Sequence, residues 1–69
     1  MQYVGSVKGR EHALMLAKDI KKKEKCLVVL EKAKNNVGHV IYRGWIDRKY
    51  KGKPKVIWHS EWKAKYKRA

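Results

Sequence analysis

The spacing of apolar residues predicts an amphipathic helix over residues 9 to about 23. Four apolar residues share one face of this helix at the spacing i, i+3, i+4 and i+7: Ala13, Leu16, Ala17 and Ile20. Glu11 falls in the first turn and three consecutive lysines fall in the last turn, where each charge interacts favourably with the helix dipole. We therefore expect one helix that packs through its alanine-rich face.

Three later segments have the patterns of β-strands. Residues 26–30 form a continuous apolar run, which is typical of a strand buried on both faces, and residues 31–34 continue it towards an edge. Residues 39–50 alternate between apolar and polar, with Gly44 at a position that indicates a bulge or a close backbone approach. Residues 55–62 alternate again.

The alternation also predicts which side chains share a face. In the second strand, Val40, Tyr42 and Ile46 point one way, and Ile41, Arg43, Trp45 and Asp47 point the other. In the third strand, the predicted faces are Val56, Trp58, Ser60 and Trp62 against Ile57, His59 and Glu61. The turns are predicted at Asn35-Asn36 and at residues 51–54.

These elements predict an α+β fold in which the helix packs on a three-stranded antiparallel β-meander. Residues 1–7 predict an extra N-terminal strand, with Tyr3, Gly5 and Val7 on one side, so that the order becomes βαβββ. We expect a single domain over residues 1–69. Three alternatives remain for the nine C-terminal residues: an extension of the last strand, a helical turn supported by the i, i+4 pair of Trp62 and Tyr66, or a flexible basic tail over residues 63–69.

Composition and charge narrow the function. The 69 residues contain 19 Lys+Arg against 6 Asp+Glu, a net charge of +13, whereas a magnitude of about 2–8 is ample for the solubility of a small domain. No run approaches the ~20 apolar residues of a membrane span, and the first ten residues lack the order of a secretory signal. Cys26 is the single cysteine, which excludes an internal disulfide and CxxC-type metal sites. We expect a cytoplasmic protein with no membrane partner, no cofactor and no metal.

The excess charge is concentrated in the second half of the chain. The first 17 residues carry a net +1, whereas the last 35 carry +8 and hold all three tryptophans. Only four of the 19 cations are arginines, and lysine suits contact with phosphates better than it suits reading of bases. The predicted nucleic-acid-binding residues are Arg43, Trp45, Arg48, Lys49, Lys51, Lys63, Lys65, Lys67 and Arg68, with a separate cluster of Lys21, Lys22 and Lys23 at the helix end.

The sequence therefore predicts a small nucleic-acid-binding protein without enzymatic activity, which binds mainly through phosphates and with little sequence specificity. Trp45 shares a predicted face with Arg43, so its ring is the best candidate for an exposed aromatic. DNA is slightly favoured over RNA because a β-ribbon can enter a major groove. Exposed stacking aromatics would instead favour single strands or RNA.

Two alternatives from other classes remain open. The first is a regulator or inhibitor of the phage or mobile-element type that binds an acidic host protein through charge steering. The second is a small metal-free ribonuclease, in which His39 and His59 on adjacent strands would exchange protons beside Glu61 and Arg43. The sequence leaves the oligomeric state open.

Overall fold

The fold is α+β, as the sequence predicted, and it contains two helices and a four-stranded sheet. A computed structural model describes residues 1–65 of the chain. In chain order its elements are β1 (Gln2–Lys8), α1 (Arg10–Glu24), β2 (Leu27–Lys34), β3 (Val40–Asp47), β4 (Lys55–Trp58) and α2 (His59–Lys65).

The strands lie in the order β1-β3-β2-β4, which corrects the prediction of an antiparallel meander. Strand β3 pairs antiparallel with both β1 and β2, whereas β4 pairs parallel with β2. The apolar run of β2 explains why this strand lies inside the sheet, between β3 and β4. Leu27, Val28 and Val29 are fully buried, and a strand that is apolar on both faces belongs inside a sheet covered on both sides.

The predicted N-terminal strand is confirmed, and it contains a bulge. The register between β1 and β3 shifts between Tyr3 and Gly5, so that Tyr3 lies opposite Trp45 and Gly5 lies opposite Gly44. A Cβ atom at Gly44 would lie 3.1 Å from Cγ2 of Val4. Gly44 therefore marks a close approach between the strands, and the bulge itself lies in β1.

Helix α1 covers one face of the sheet and confirms the predicted helix. Ala13 and Ala17 are buried and contact a core that includes Val28, Tyr42 and Ile46, so the predicted orientation of Tyr42 and Ile46 is also confirmed. The wrong assignment is Leu16, which is 45% exposed. Ala13 and Ala17 face the sheet, and Leu14 and Leu16 project from α1 on opposite sides of these two alanines. Leu14 packs on the core, whereas Leu16 lines a groove beside β1.

Helix α2 covers part of the opposite face and replaces the second half of the predicted third strand. The chain leaves the sheet after Trp58, so the prediction of a strand over residues 55–62 is wrong beyond that residue. Of the three alternatives for the C-terminal segment, the helix is confirmed as far as Lys65. The reason is burial: Leu27, Val29 and Ile57 form a second apolar cluster, and only a helix brings Trp62 back over it.

The β2–β3 hairpin closes at the predicted asparagines, but only the first of them organises the turn. The Oδ1 atom of Asn35 accepts hydrogen bonds from the backbone N–H groups of Val37 and His39, each at 3.0 Å. The positive φ of 92° in this loop is taken by Gly38. The side chain of Asn35 therefore mimics a backbone turn and, together with the backbone bonds between Asn35 and His39 and between Gly38 and Asn35, closes the hairpin.

Candidate nucleic-acid interface

The topology brings two basic segments to one end of the sheet. Helix α1 ends immediately before β2 begins, and Leu27, the first residue of β2, pairs with both Asp47 at the end of β3 and Lys55 at the start of β4. The end of α1 and the β3–β4 loop therefore meet beside Leu27. We call this surface the basic end and define it by Lys21, Lys22, Lys23, Lys25, Arg48, Lys49, Lys51 and Lys53.

Arg48 joins the two segments of the basic end. Its Nη1 and Nη2 atoms lie 3.1 and 3.3 Å from the two carboxylate oxygens of Glu24, and its Nε atom donates to Oε1 of Gln2 at 3.2 Å. This forked contact fixes the planar guanidinium to α1 and β1. The sequence predicted the helix lysines as a separate cluster, whereas the structure shows that they adjoin the loop.

The two acids of this region already have contacts within the chain. Glu24 is bound by Arg48. Asp47 accepts a hydrogen bond at Oδ1 from the backbone N–H of Lys49 at 3.1 Å, and its carbonyl accepts one from Tyr50 at 3.4 Å. These bonds shape the start of the loop, while the ring of Tyr50 packs against the cluster around Leu27. The loop is thus anchored at its apolar side and presents its lysines to solvent.

Most lysines of the basic end take no part in the ion pairs of the described chain. Within residues 1–65 the four pairs are Arg48–Glu24, Arg43–Glu31, His59–Glu31 and Lys65–Glu61. The side chains of Lys22, Lys23, Lys49, Lys51 and Lys53 are exposed. Their ammonium groups are available to an anion.

The remaining predicted cations are distributed elsewhere. Arg43 lies on β3, with Nη1 at 3.8 Å from Oε1 of Glu31. Lys63 and Lys65 lie on α2, where Lys65 binds Glu61 at 3.1 Å. Lys67 and Arg68 lie outside the described residues. The structure therefore groups the helix lysines with the loop, whereas Arg43 belongs to β3 and Lys63 and Lys65 belong to α2.

Helix α2 leaves half of its face of the sheet uncovered. It packs on β2 and β4. On that face of the sheet, β1 and the side of β3 next to it therefore remain open. We call this surface the open face. It consists of three cross-strand pairs on one side of the sheet: Tyr3 with Trp45, Ser6 with Arg43, and Lys8 with Ile41.

The exposed ring on the open face is Tyr3, which the sequence analysis missed. Trp45, the predicted candidate, is half-buried, and its Nε1 atom is buried against the cluster around Leu27. Tyr3 is 49% exposed, and its ring centroid lies 5.0 Å from that of Trp45 at an interplanar angle of 59°. Strict alternation placed Tyr3 with Gly5 and Val7. The bulge at Val4 turns Tyr3 to the opposite face. The signal in the sequence that could have indicated this bulge is the pair of glycines, Gly5 and Gly44, in the two strands.

The histidines predicted for the ribonuclease alternative do not lie on adjacent strands. His39 lies in the loop before β3, whereas His59 begins α2 after β4, and β2 separates those two strands. His59 instead has its Nδ1 atom 3.8 Å from Oε2 of Glu31, the carboxylate that also faces Arg43. Glu61 binds Lys65. Among the ion pairs of residues 1–65, those of Glu31 bring a histidine, an acid and an arginine together, His59 and Arg43 each lying 3.8 Å from its carboxylate.

Other chemistry is limited in the part of the chain that the structure describes. Over residues 1–65 no three side chains among His, Cys, Asp and Glu are grouped as they would be around a metal ion. Neither described helix has the length and apolar character needed to cross a membrane. Cys26 is buried, and burial raises the pKa of its thiol, an effect only partly offset by the nearby Arg48.

Comparison of the chain with protein-family models, with curated proteins and with solved structures gives no match.

Proposed function

We propose that this protein binds nucleic acid and holds its phosphate backbone at the basic end. The observation that carries the proposal is the meeting of two basic segments that are 24 residues apart in sequence and are joined through Arg48 and Glu24. Eight cations gather there beside two acids whose carboxylates are already engaged within the chain. A phosphate backbone is the partner that complements such a surface.

The composition of the basic end supports a mechanism without base reading. Seven of its eight cations are lysines, and a lysine ammonium is a flexible point charge without the planar fork that recognises a guanine edge. Each lysine that neutralises a phosphate releases condensed counterions, and this release supplies most of the affinity. Binding is therefore expected to be tolerant of sequence and strongly dependent on salt.

The test is a titration of labelled oligonucleotides by fluorescence anisotropy at several salt concentrations. If about five phosphates are engaged, the slope of log K against log salt on duplex DNA should be about −4 to −5, since each phosphate contributes about 0.9. A slope near zero at measurable affinity would contradict the mechanism. Failure to bind any nucleic acid at low salt would overturn the proposal itself and leave the acidic-protein alternative.

Two variants of equal charge separate the basic end from a general effect of net charge. The double variant Lys49→Ala, Lys51→Ala removes two exposed cations from the basic end, and we expect it to flatten the slope by about 1 to 2. The control double variant Lys32→Ala, Lys34→Ala removes two exposed lysines from the second half of β2, at the other end of the sheet. Equal losses in the two variants would show that the basic end is not the binding surface.

The same preparation tests the enzymatic alternative. Labelled RNA is incubated with the protein from pH 5 to pH 8, the range in which a histidine pair would exchange protons. Intact RNA is the result expected of a binding protein. Cleavage that is lost in His59→Ala but retained in His39→Ala would instead assign activity to the Arg43–Glu31–His59 contact.

A further inference from the structure

We propose that the open face is a stacking platform that selects single-stranded nucleic acid over duplex. This proposal rests on the proposed function and names its substrate class. The basic end accounts for attraction to any phosphate backbone. The open face adds an aromatic surface, which only a strand with accessible bases can use.

The aromatic part of the platform is the pair of Tyr3 and Trp45. The rings lie on neighbouring strands and are tilted by 59° to one another, and Tyr3, which is 49% exposed, offers the ring on which a base can stack. The Nε1 atom of Trp45 is buried, so the part of its indole that reaches the surface is carbon. Such a surface suits stacking on the face of a base and not hydrogen bonding to its edge.

Cations and a hydroxyl follow the aromatic pair along the same strands. Ser6 and Arg43 form the next cross-strand pair of this face, and Lys8 lies beyond them. Residues that alternate along a strand are about 7 Å apart. A bound strand would therefore meet a ring first, then a guanidinium, and then an ammonium.

The platform is continuous with the basic end. Gln2 precedes Tyr3 in β1 and accepts a hydrogen bond from Arg48 at 3.2 Å. Trp45 of β3 and Tyr50 of the β3–β4 loop pack on the same apolar cluster around Leu27. A single strand can thus run from the loop lysines onto the open face without leaving the surface.

A duplex cannot use this platform because its bases are stacked within the helix and show only their edges in the grooves. The test compares single-stranded DNA, single-stranded RNA and duplex DNA of equal length by anisotropy at low salt. We expect both single strands to bind more tightly than the duplex. Tyr3→Ala should weaken single-strand binding by about 5- to 150-fold, the value of one stacked base, and leave duplex binding unchanged.

Three further variants control the experiment. Tyr3→Phe keeps the ring and should retain single-strand binding, whereas Tyr3→Leu keeps apolar bulk in β1 without a ring and should lose it. Val37→Ala removes an apolar side chain that is 77% exposed on the β2–β3 loop, outside the open face, and it should change neither affinity. Equal affinity for duplex and single strands, or equal losses for both in Tyr3→Ala, would overturn the platform while the proposed function stands. No binding to any of the three nucleic acids would overturn the proposed function.

A second surface is distinguished by its low charge. Residues 1–20 carry a net charge of +1, whereas the whole chain carries +13. Five of the seven large apolar side chains that are exposed within residues 1–65 lie in this segment: Met1, Tyr3, Val4, Met15 and Leu16. Residues 26–47 also carry a net +1, but their exposed large apolar side chains are only Val37 and Val40, so it is residues 1–20 that combine low charge with an apolar surface.

This surface combines an edge strand with an apolar groove. Strand β1 is at the edge of the sheet, so its outer backbone groups lie beyond the ladder of the described chain. Between β1 and α1 lies a groove of ≈ 140 Å³, lined by residues that include Val4, Leu16 and Ile20. Gly5 and Gly44 also line it: a Cβ atom at Gly5 would meet nothing within 4 Å, whereas the side chain of Val4 already lies over Gly44.

We infer that this surface binds a second copy of the chain. Two chains of charge +13 repel one another, and this repulsion is weakest when the surfaces in contact carry little net charge. Residues 1–20, with a net charge of +1, provide such a surface. An edge strand can pair with its own copy about a two-fold axis, which makes the surface self-complementary. An acidic partner would instead be attracted to the basic end.

Molar mass measured by light scattering tests this inference over a range of protein and salt concentrations. We expect a dimer of twice the 8.2 kDa chain, and its association should strengthen with salt because salt screens the repulsion. Leu16→Glu should give a monomer that remains folded by circular dichroism, since Leu16 is 45% exposed. Val37→Glu, at a side chain that is 77% exposed on the hairpin loop, should remain dimeric. A wild-type monomer at every concentration, or a dimeric Leu16→Glu variant, would overturn the inference.

Discussion

Arg48 binds both carboxylate oxygens of Glu24, at 3.1 and 3.3 Å, and so ties the β3–β4 loop to the end of α1. The contact lies between two lysine-rich segments that would otherwise repel one another. It holds the loop beside the helix lysines, while the charges of Arg48 and Glu24 offset one another. The ion pair therefore supports the local structure of the basic end and adds nothing to its net charge.

Glu24→Gln is expected to increase affinity for nucleic acid by about two- to fivefold, because it removes a negative charge from the basic end. The free energy of unfolding should fall by only about 0.5 kcal/mol, since the pair is exposed. Glu11→Gln makes the same charge change in the first turn of α1 and serves as the control. Anisotropy and urea titration measure the two effects, and an equal gain in Glu11→Gln would contradict a local effect.

Lys25→Gly is expected to stabilise the fold while it weakens binding. Lys25 ends α1 in the left-handed region, at φ 52° and ψ 45°, and that conformation is unfavourable by about 1–2 kcal/mol for a residue with a Cβ atom. Glycine relieves most of this strain but removes one cation from the basic end. Lys23→Gly lies within the helix and should instead destabilise the protein by up to about 1 kcal/mol. Opposite shifts of the urea midpoint are the expected result.

Trp62→Ala is expected to reduce the free energy of unfolding by about 2 kcal/mol, because the half-buried indole is the side chain of α2 that covers the cluster around Leu27. Lys63→Ala, at the next and exposed position, should change it by less than about 0.5 kcal/mol. Urea unfolding measures both values. If the two variants were equally stable, α2 would not be packed on the sheet.

Asn35→Ala is expected to destabilise the protein by about 1 kcal/mol, since it removes the acceptor for two backbone N–H groups of the hairpin loop. Asn36→Ala removes an exposed amide of the same size at the neighbouring position and should have little effect. Thermal unfolding distinguishes the two. A larger loss in Asn36→Ala would mean that the turn is formed differently.

Cys26 is expected to lower the stability of the fold at alkaline pH. Burial raises the pKa of its thiol above the ordinary value of about 9, so above that pH the unfolded chain releases a proton that the folded chain retains. The free energy of unfolding should therefore fall as the pH rises past 9. Lysines and tyrosines titrate in the same range, so the measured quantity is the difference between wild type and Cys26→Ala in urea midpoints from pH 7 to pH 10. A constant difference would show that the thiol does not contribute.

Much of the fold could be predicted from local pattern. The helix, the doubly buried strand, the orientation of Tyr42 and Ile46, and the turn at Asn35 each follow from the period of the side chains or from the preferences of one residue. The strand order could not be predicted in this way, because several orders bury the same residues equally well and differ only in which strands become neighbours.

The candidate site likewise has one part that the sequence predicts and another that only the tertiary structure determines. Composition alone indicates an anionic partner, and the sequence places most of the cations in the second half of the chain and at the helix end. Only the tertiary structure joins Lys21–Lys23 to the loop, because that neighbourhood depends on the pairing of both β3 and β4 with β2. Only the bulge at Val4 decides that Tyr3 shares a face with Trp45. Charge and periodicity are properties of the chain, whereas register and adjacency arise from packing between segments that are distant in sequence.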